Sequence, residues 1–188
     1  MSGETRRLAL SAVFVGLAVG TNYVLARFPN VELMLSIVFL SGYVLGWRRG
    51  MVIGIVAESI FSLFNPYGMA PIPVLLTQIT GVAAAGFAGG WFHKWQPEKF
   101  QGKTHSLILG GWGLILTLLF DLLTTLGTAA MIGFSWKSYI ALLAFGSLFY
   151  LTHLLSNGLI FAVLVHLLIR NIHDFVVAEK SQVSETTP

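Results

Sequence analysis

The 188-residue sequence has no cysteine and little charge, with Asp, Glu, Lys and Arg making up only 10% of it. Without cysteine there is no disulfide, no thiolate nucleophile and no cysteine-type metal centre, and the redox compartment leaves no mark on the chain. A soluble domain of this length carries roughly a quarter of its residues as charges, so the shortage excludes that class. Apolar residues take the place of the missing charges: they account for 55% of the chain, with a mean hydropathy of +0.79. The sequence reads as an integral membrane protein. Its formal net charge of +3 does not indicate nucleic acid, because the basic residues occupy short gaps between apolar runs, where membrane topology accounts for them. A G-x-x-x-x-G-K-[ST] phosphate loop is also absent, so any ATP hydrolysis would have to come from other subunits.

Six apolar segments are expected to be helices: Leu8 to Ala26, Glu32 to Gly46, Met51 to Phe64, Pro73 to Phe92, Leu107 to Ile132, and Phe145 to Arg170. A bilayer core about 30 Å thick needs around 20 helical residues, so the first and fourth fit and the last two have length to spare. The second and third are short. Extending the third back to Trp47 favours two complete crossings over re-entrant segments, giving an all-α bundle of six transmembrane helices over residues 1–172. A polar tail, residues 173–188, is expected to extend into the cytoplasm.

Charge bias orients the bundle. Arg6, Arg7, Arg48, Arg49, Lys94, Lys99, Lys103, Arg170 and Lys180 fall on one side, against Arg27 and Lys137 on the other. The excess places both termini in the cytoplasm. The basic start followed by an apolar run has the look of a signal peptide, but the charge alternation requires the first segment to be retained.

With depth assigned, the informative polar residues converge on the outer half. Asp121 is about 21 Å along the fifth helix, and Thr117, Thr124, Thr125 and Thr128 stand three, four or seven residues from it, on one face. An ionisable group in the bilayer costs at least ~2.5 kcal/mol and usually marks a site. His153, Ser156 and Asn157 form a second stripe on the sixth helix. Thr77 and Gln78 lie just inside the outer end of the fourth, while Asn30, Glu32, Asn65 and Tyr67 come from the outer connections. Together they suggest a polar cavity open to the outside, with the proline-rich "FNPYGMAPIP" as a shaped lid. Glu58 shares the burial cost of Asp121, but no polar stripe accompanies it. Threonines that bond back to their own helix, and Asn157 or His153 bridging helices, are the structural alternatives.

Small residues form ladders at intervals of four: Ala12, Gly16 and Gly20 on the first helix, and Gly81, Ala85 and Gly89, with Gly86 and Gly90, on the fourth. Such ladders let helix backbones approach closely. One could seal the bundle and the other receive a partner.

The six helices in under 200 residues, the first-helix ladder, "PNVEL", "LGWRRGMVIGIVAE" and "NPYGMAPIPVLLTQITGVAAAGFAGG" together resemble the substrate-binding S component of energy-coupling-factor (ECF) vitamin transporters, over roughly residues 6 to 172. The resemblance implies a subunit of a prokaryotic cytoplasmic membrane that captures a water-soluble vitamin or related micronutrient near the outer face. It would associate with a membrane coupling (T) protein and two cytoplasmic ATPases. The chain itself would bind no cofactor, and ATP would be used by its partners. In the family an Ala-xxx-Ala motif on the first helix contacts the coupling protein; here Gly16 follows Ala12 in that register, making Ala12, Gly16 and Gly20 the partner-interface residues. The substrate-binding set is Asn30, Glu32, Asn65, Tyr67, Gln78, Asp121, Thr125, His153 and Asn157. Three carboxylates, Glu32, Glu58 and Asp121, lean toward a ligand with a cationic or donor-rich part.

Other functions leave different signs. A secondary transporter coupled through Asp121 or Glu58 should show inverted repeats with broken helices. A non-transporting scaffold would use its polar residues only to fasten helices. His153-x-x-x-Asn157 is similar to part of a rhomboid protease, but no Gly-x-Ser-Gly nucleophile exists, so an enzyme is not expected.

Overall fold

The computed structural model describes residues 3–95 and 102–171, and all their regular secondary structure is helical. In chain order the helices are α1 (Gly3–Leu25), α2 (Met34–Leu45), α3 (Trp47–Leu63), α4 (Ile72–Lys94), α5 (Lys103–Met131) and α6 (Trp136–Asn171), the last containing a π-helical turn at Phe161–Val165. The expected tail over 173–188, together with Lys99 and Lys180 of the charge count, lies outside the described residues.

Helices α1, α4, α5 and α6 are long and apolar enough to cross a membrane, which makes the chain a multi-pass membrane protein by helix length and hydropathy. The other two are shorter. The 12 residues of α2 rise only about 18 Å, well under the bilayer core, and the 17 residues of α3 rise about 26 Å.

Helix α2 is the axis of the fold. Every residue from Met34 to Tyr43 is buried, as expected of a helix that is apolar all round. It packs against α1, α3 and α4 and reaches α5 and the π-helical turn of α6. Phe39 meets the rings of Phe92 and Phe161 at 5.7 and 5.2 Å, joining α4 and α6 to the core.

A single residue, Gly46, with φ +90°, joins α2 to α3. Just beyond this joint α2, α3 and α4 cross with almost no side chain between them. A Cβ on Gly86 would strike the backbone of Gly50, and one on Gly42 would strike the carbonyl of Gly86. The α4 ladder is therefore spent inside the fold. The α1 ladder is not: Ala12, Gly16 and Gly20 are exposed, and a Cβ at Gly16 or Gly20 would meet nothing within 4 Å. Helix α1 leans on α2 and α3 and buries only Ala18 and Asn22.

Helix α6 begins nine residues before the apolar run that announced it. Ser135 caps it: its hydroxyl accepts the Ser138 N–H at 3.0 Å, and Ser138 Oγ accepts the Ser135 N–H at 3.1 Å. This reciprocal cap satisfies amides that a helix start leaves unpaired, so the polar stretch around Lys137 is helical and the 36 residues of α6 extend about 54 Å. At its other end, the Ser106 hydroxyl of α5 donates to the Ala162 carbonyl within the π-helical turn at 2.6 Å. The Nδ1 atoms of His105 and His166 lie 2.9 Å apart beside it.

Candidate functional site

The connections 26–33, 64–71 and 132–135 gather at one end of the bundle, the mouth. The first descends between α1 and α6. Asn22 on α1 accepts the Leu33 N–H on its Oδ1 at 3.1 Å, which sets the start of α2. On the other side the Ser156 hydroxyl of α6 donates to the Asn30 carbonyl at 2.7 Å, closer than to its own helix at 3.0 Å. Asn30 is the one non-glycine with positive φ among the described residues, at 59°, a conformation Asn tolerates better than most residues. Held at both ends, the connection delivers Glu32 to the interior.

There Glu32 meets a buried pair. His153 Nδ1 lies 2.8 Å from Asp121 Oδ1, and His153 Nε2 lies 3.4 Å from Glu32 Oε1. An imidazole on α6 thus stands between carboxylates from α5 and the α1–α2 connection. Asp121 and His153 are 7% and 6% exposed, so water screens the pair little. At 3.4 Å, Nε2 and Glu32 Oε1 are at ion-pair distance without a hydrogen bond; ionised carboxylates only accept, so an imidazole with a proton on each nitrogen is the form that suits both neighbours. Thr125 lies one turn from Asp121 and donates to its carbonyl at 2.7 Å; Tyr150 OH, 2.6 Å from Thr125 Oγ1, therefore donates to that oxygen.

Two cavities adjoin this triad. A cleft of about 300 Å³ between α5 and α6 is lined by Asn30, Asp121, Thr125 and His153, with Phe120, Phe149 and Tyr150 as aromatic walls. A second, of about 220 Å³, is lined by Asn22, Asn30, Glu32, Asn65 and Tyr67 under the mouth. Asn30 belongs to both, and the Glu32–His153 contact divides them. Tyr67 closes the second from above: its hydroxyl donates to the Ala26 carbonyl at 3.0 Å, and its N–H donates to Asn65 Oδ1 at 2.9 Å. Tyr23 ties the same loop to α1 by donating to the Phe64 carbonyl at 3.1 Å.

Of the nine residues read as substrate-binding, seven line one cavity or the other. Gln78 lines neither. Its side chain faces Ser62, 3.1 Å away, whose hydroxyl donates to Glu58 Oε1 at 2.6 Å. The Ser62 hydroxyl thus has two acceptors for its one proton, Gln78 Oε1 and the Glu58 carboxylate, of which the carboxylate is the nearer. The reading that no polar stripe accompanies Glu58 is thereby corrected: Ser62, one helical turn on, is its partner. Asn157 is fully buried one turn beyond His153, and neither atom of its amide has a hydrogen-bond partner in the protein. Thr117 is buried, whereas Thr124 and Thr128 border the cleft.

Sequence reasoning passed over Asn22, Phe120 and Tyr150. Tyr150 precedes His153 by three residues, the spacing that shares a helix face, so its position was detectable. Asn22 and Phe120 join the site only through contacts between elements.

On the flank away from the bundle, Gly16 and Gly20 help line a groove of about 500 Å³ along α1 that ends at Leu33. No family model matches the sequence, and neither the curated proteins nor the solved structures include a significant match to it.

Proposed function

We propose that the chain is the substrate-binding subunit of an energy-coupling-factor importer, capturing a water-soluble vitamin or related micronutrient at the mouth and delivering it to the cytoplasm. In this reading all six helices complete the membrane crossing, α2 and α3 with the help of their flanking connections. Both termini face the cytoplasm of a prokaryotic cell and the mouth faces outward. The observation that carries the proposal is the pair of cavities whose linings include Asp121, His153 and Glu32, the smaller of them beneath Tyr67 at the mouth. A protein using such residues only to fasten helices has no need of space beside them. Backbone that is irregular at membrane depth, as in the Asn30–Leu33 descent, is tolerated where it lines a cavity.

Exposed Ala12, Gly16 and Gly20 provide the docking face for a membrane coupling protein, which links the subunit to two cytoplasmic ATPases. The chain binds no cofactor and performs no catalysis itself, and ATP is used by its partners. A thermal-shift screen of the purified protein against water-soluble vitamins and their precursors tests the capture step, with Asp121→Asn run alongside. A ligand present at a hundred times its Kd should stabilise the protein by ~2.7 kcal/mol. One stabilising compound with a weaker effect on the variant is the expected result. No stabilising compound, and no ATPase co-purifying with the protein from its native membrane, would overturn the proposal.

A further inference from the structure

The charge inventory of the site narrows what it can hold, and this inference rests on the capture reading above. The facing groups come from three elements: Asp121 from α5, Glu32 from the α1–α2 connection, and His153 and Tyr150 from α6; Glu58 of α3 lines neither cavity and accepts from Ser62. Among the described residues, no Lys or Arg lines either cavity. Two carboxylates against one imidazolium leave a single negative charge.

That charge has a location. His153 occupies Asp121 Oδ1 at 2.8 Å, whereas Asp121 Oδ2 is buried without a hydrogen-bond partner in the protein. Asp121 lines the cleft, and this oxygen, enclosed in the cleft's wall, is met by no donor of the protein. An ionised oxygen in that position is expensive unless a donor meets it, and a charged donor meets it best. Phe120, Phe149 and Tyr150 wall the same cleft, and aromatic faces attract cations. Phe120 also packs edge-on against His153, with ring centroids 6.0 Å apart, which fixes that wall beside the carboxylate.

We infer that the α5–α6 cleft binds a singly charged organic cation, an ammonium or protonated nitrogen heterocycle, whose N–H donates to Asp121 Oδ2 while its apolar part lies against Phe120, Phe149 and Tyr150. His153 is a positioning residue that holds Asp121 and neutralises one of the two carboxylates. One positive ligand charge then completes neutrality. A second positive charge or an anion would leave the site unbalanced.

The test uses the full chain in lipid nanodiscs and three probes of one shape: benzylamine, benzyl alcohol and benzoate, each at millimolar concentration. Benzylamine alone should raise the melting temperature, and Asp121→Asn should weaken its binding by about tenfold or more, the loss of a charge-assisted hydrogen bond. Equal stabilisation by the alcohol or benzoate, or unchanged affinity in the variant, overturns the inference. Should the variant fail to fold, ¹⁵N NMR of His153 in the wild-type protein serves in its place. Protons on both ring nitrogens at neutral pH support the charge count, and a single neutral tautomer overturns it. Failure here is distinguishable from failure of the capture reading. A neutral or anionic vitamin that stabilises the protein sinks the cation and keeps the importer, and silence of every vitamin and probe sinks both.

Discussion

Asp121 and His153 stand 32 positions apart in the chain and meet at 2.8 Å between α5 and α6. The pair is almost wholly enclosed, and Glu32 approaches the imidazole from the opposite side at 3.4 Å. Removing one partner leaves the other buried without its counter-charge, a loss typically worth 3–5 kcal/mol at about this degree of burial. Asp121→Asn is therefore expected to lower unfolding stability in detergent by ~3 kcal/mol. His153→Gln should act similarly, and the double variant should lose less than the two single losses together. Additive losses would show that the residues do not act as a pair.

The two glycine ladders predict opposite outcomes for the same substitution. Gly86→Ala forces a methyl into the Gly50 backbone, where no flexible side chain can yield, and should cost at least ~3 kcal/mol or prevent folding. Gly16→Ala meets open space and should leave stability within ~1 kcal/mol of the parent, with helix propensity favouring alanine. Gly16→Leu should fold equally well and still lose co-purification with a coupling protein. Thermal unfolding and pull-down from the native membrane check both halves of the contrast.

Tyr67→Phe removes the hydrogen bond that ties the mouth loop to the Ala26 carbonyl. The side chain is exposed, so the fold should barely register the change. Locally, a bond worth ~1 kcal/mol restrains the loop, and amide hydrogen exchange over residues 64–71 should accelerate about fivefold. Exchange elsewhere should be unchanged, and any bound ligand should dissociate faster. An unaltered loop would mean that Tyr23 and the prolines alone hold it.

Because the chain contains no cysteine, single introduced cysteines can map its orientation without background. Met69→Cys and Phe134→Cys lie at the mouth and should react with a membrane-impermeant maleimide in intact cells. Lys103→Cys, at the other end of α5, should react only after permeabilisation. The reverse pattern would invert the topology and remove the outward-facing site.

The membrane class and the positions of most helices were legible in the sequence because both follow from local quantities: apolar run length and the scarcity of charge. Where the local signal was mixed, the reading stopped short. Residues 136–144 carry Lys137 and two hydroxyl-bearing side chains among their apolar residues, so the start of α6 was hidden until the Ser135–Ser138 cap was seen. Glu58 looked isolated although Ser62 stands four residues on; the next polar group, Gln78, reaches Ser62 from another helix and was not legible.

The sequence by itself pointed Asp121, Thr125, His153 and Asn157 inward, since an ionisable or amide side chain on a membrane helix is costly against lipid and helical spacing sets which residues share its face. Only the tertiary structure decided which of them meet. It put Asp121 and His153 together, inserted Glu32 through an irregular descent held by Asn22 and Ser156, and left Gln78 to Ser62. It also separated two ladders of equal appearance, using the α4 glycines for internal crossings and leaving those of α1 on the surface. Periodicity assigns a residue to a face of its own helix. Which helix packs against that face depends on contacts between distant segments, and those arise only when the whole bundle closes.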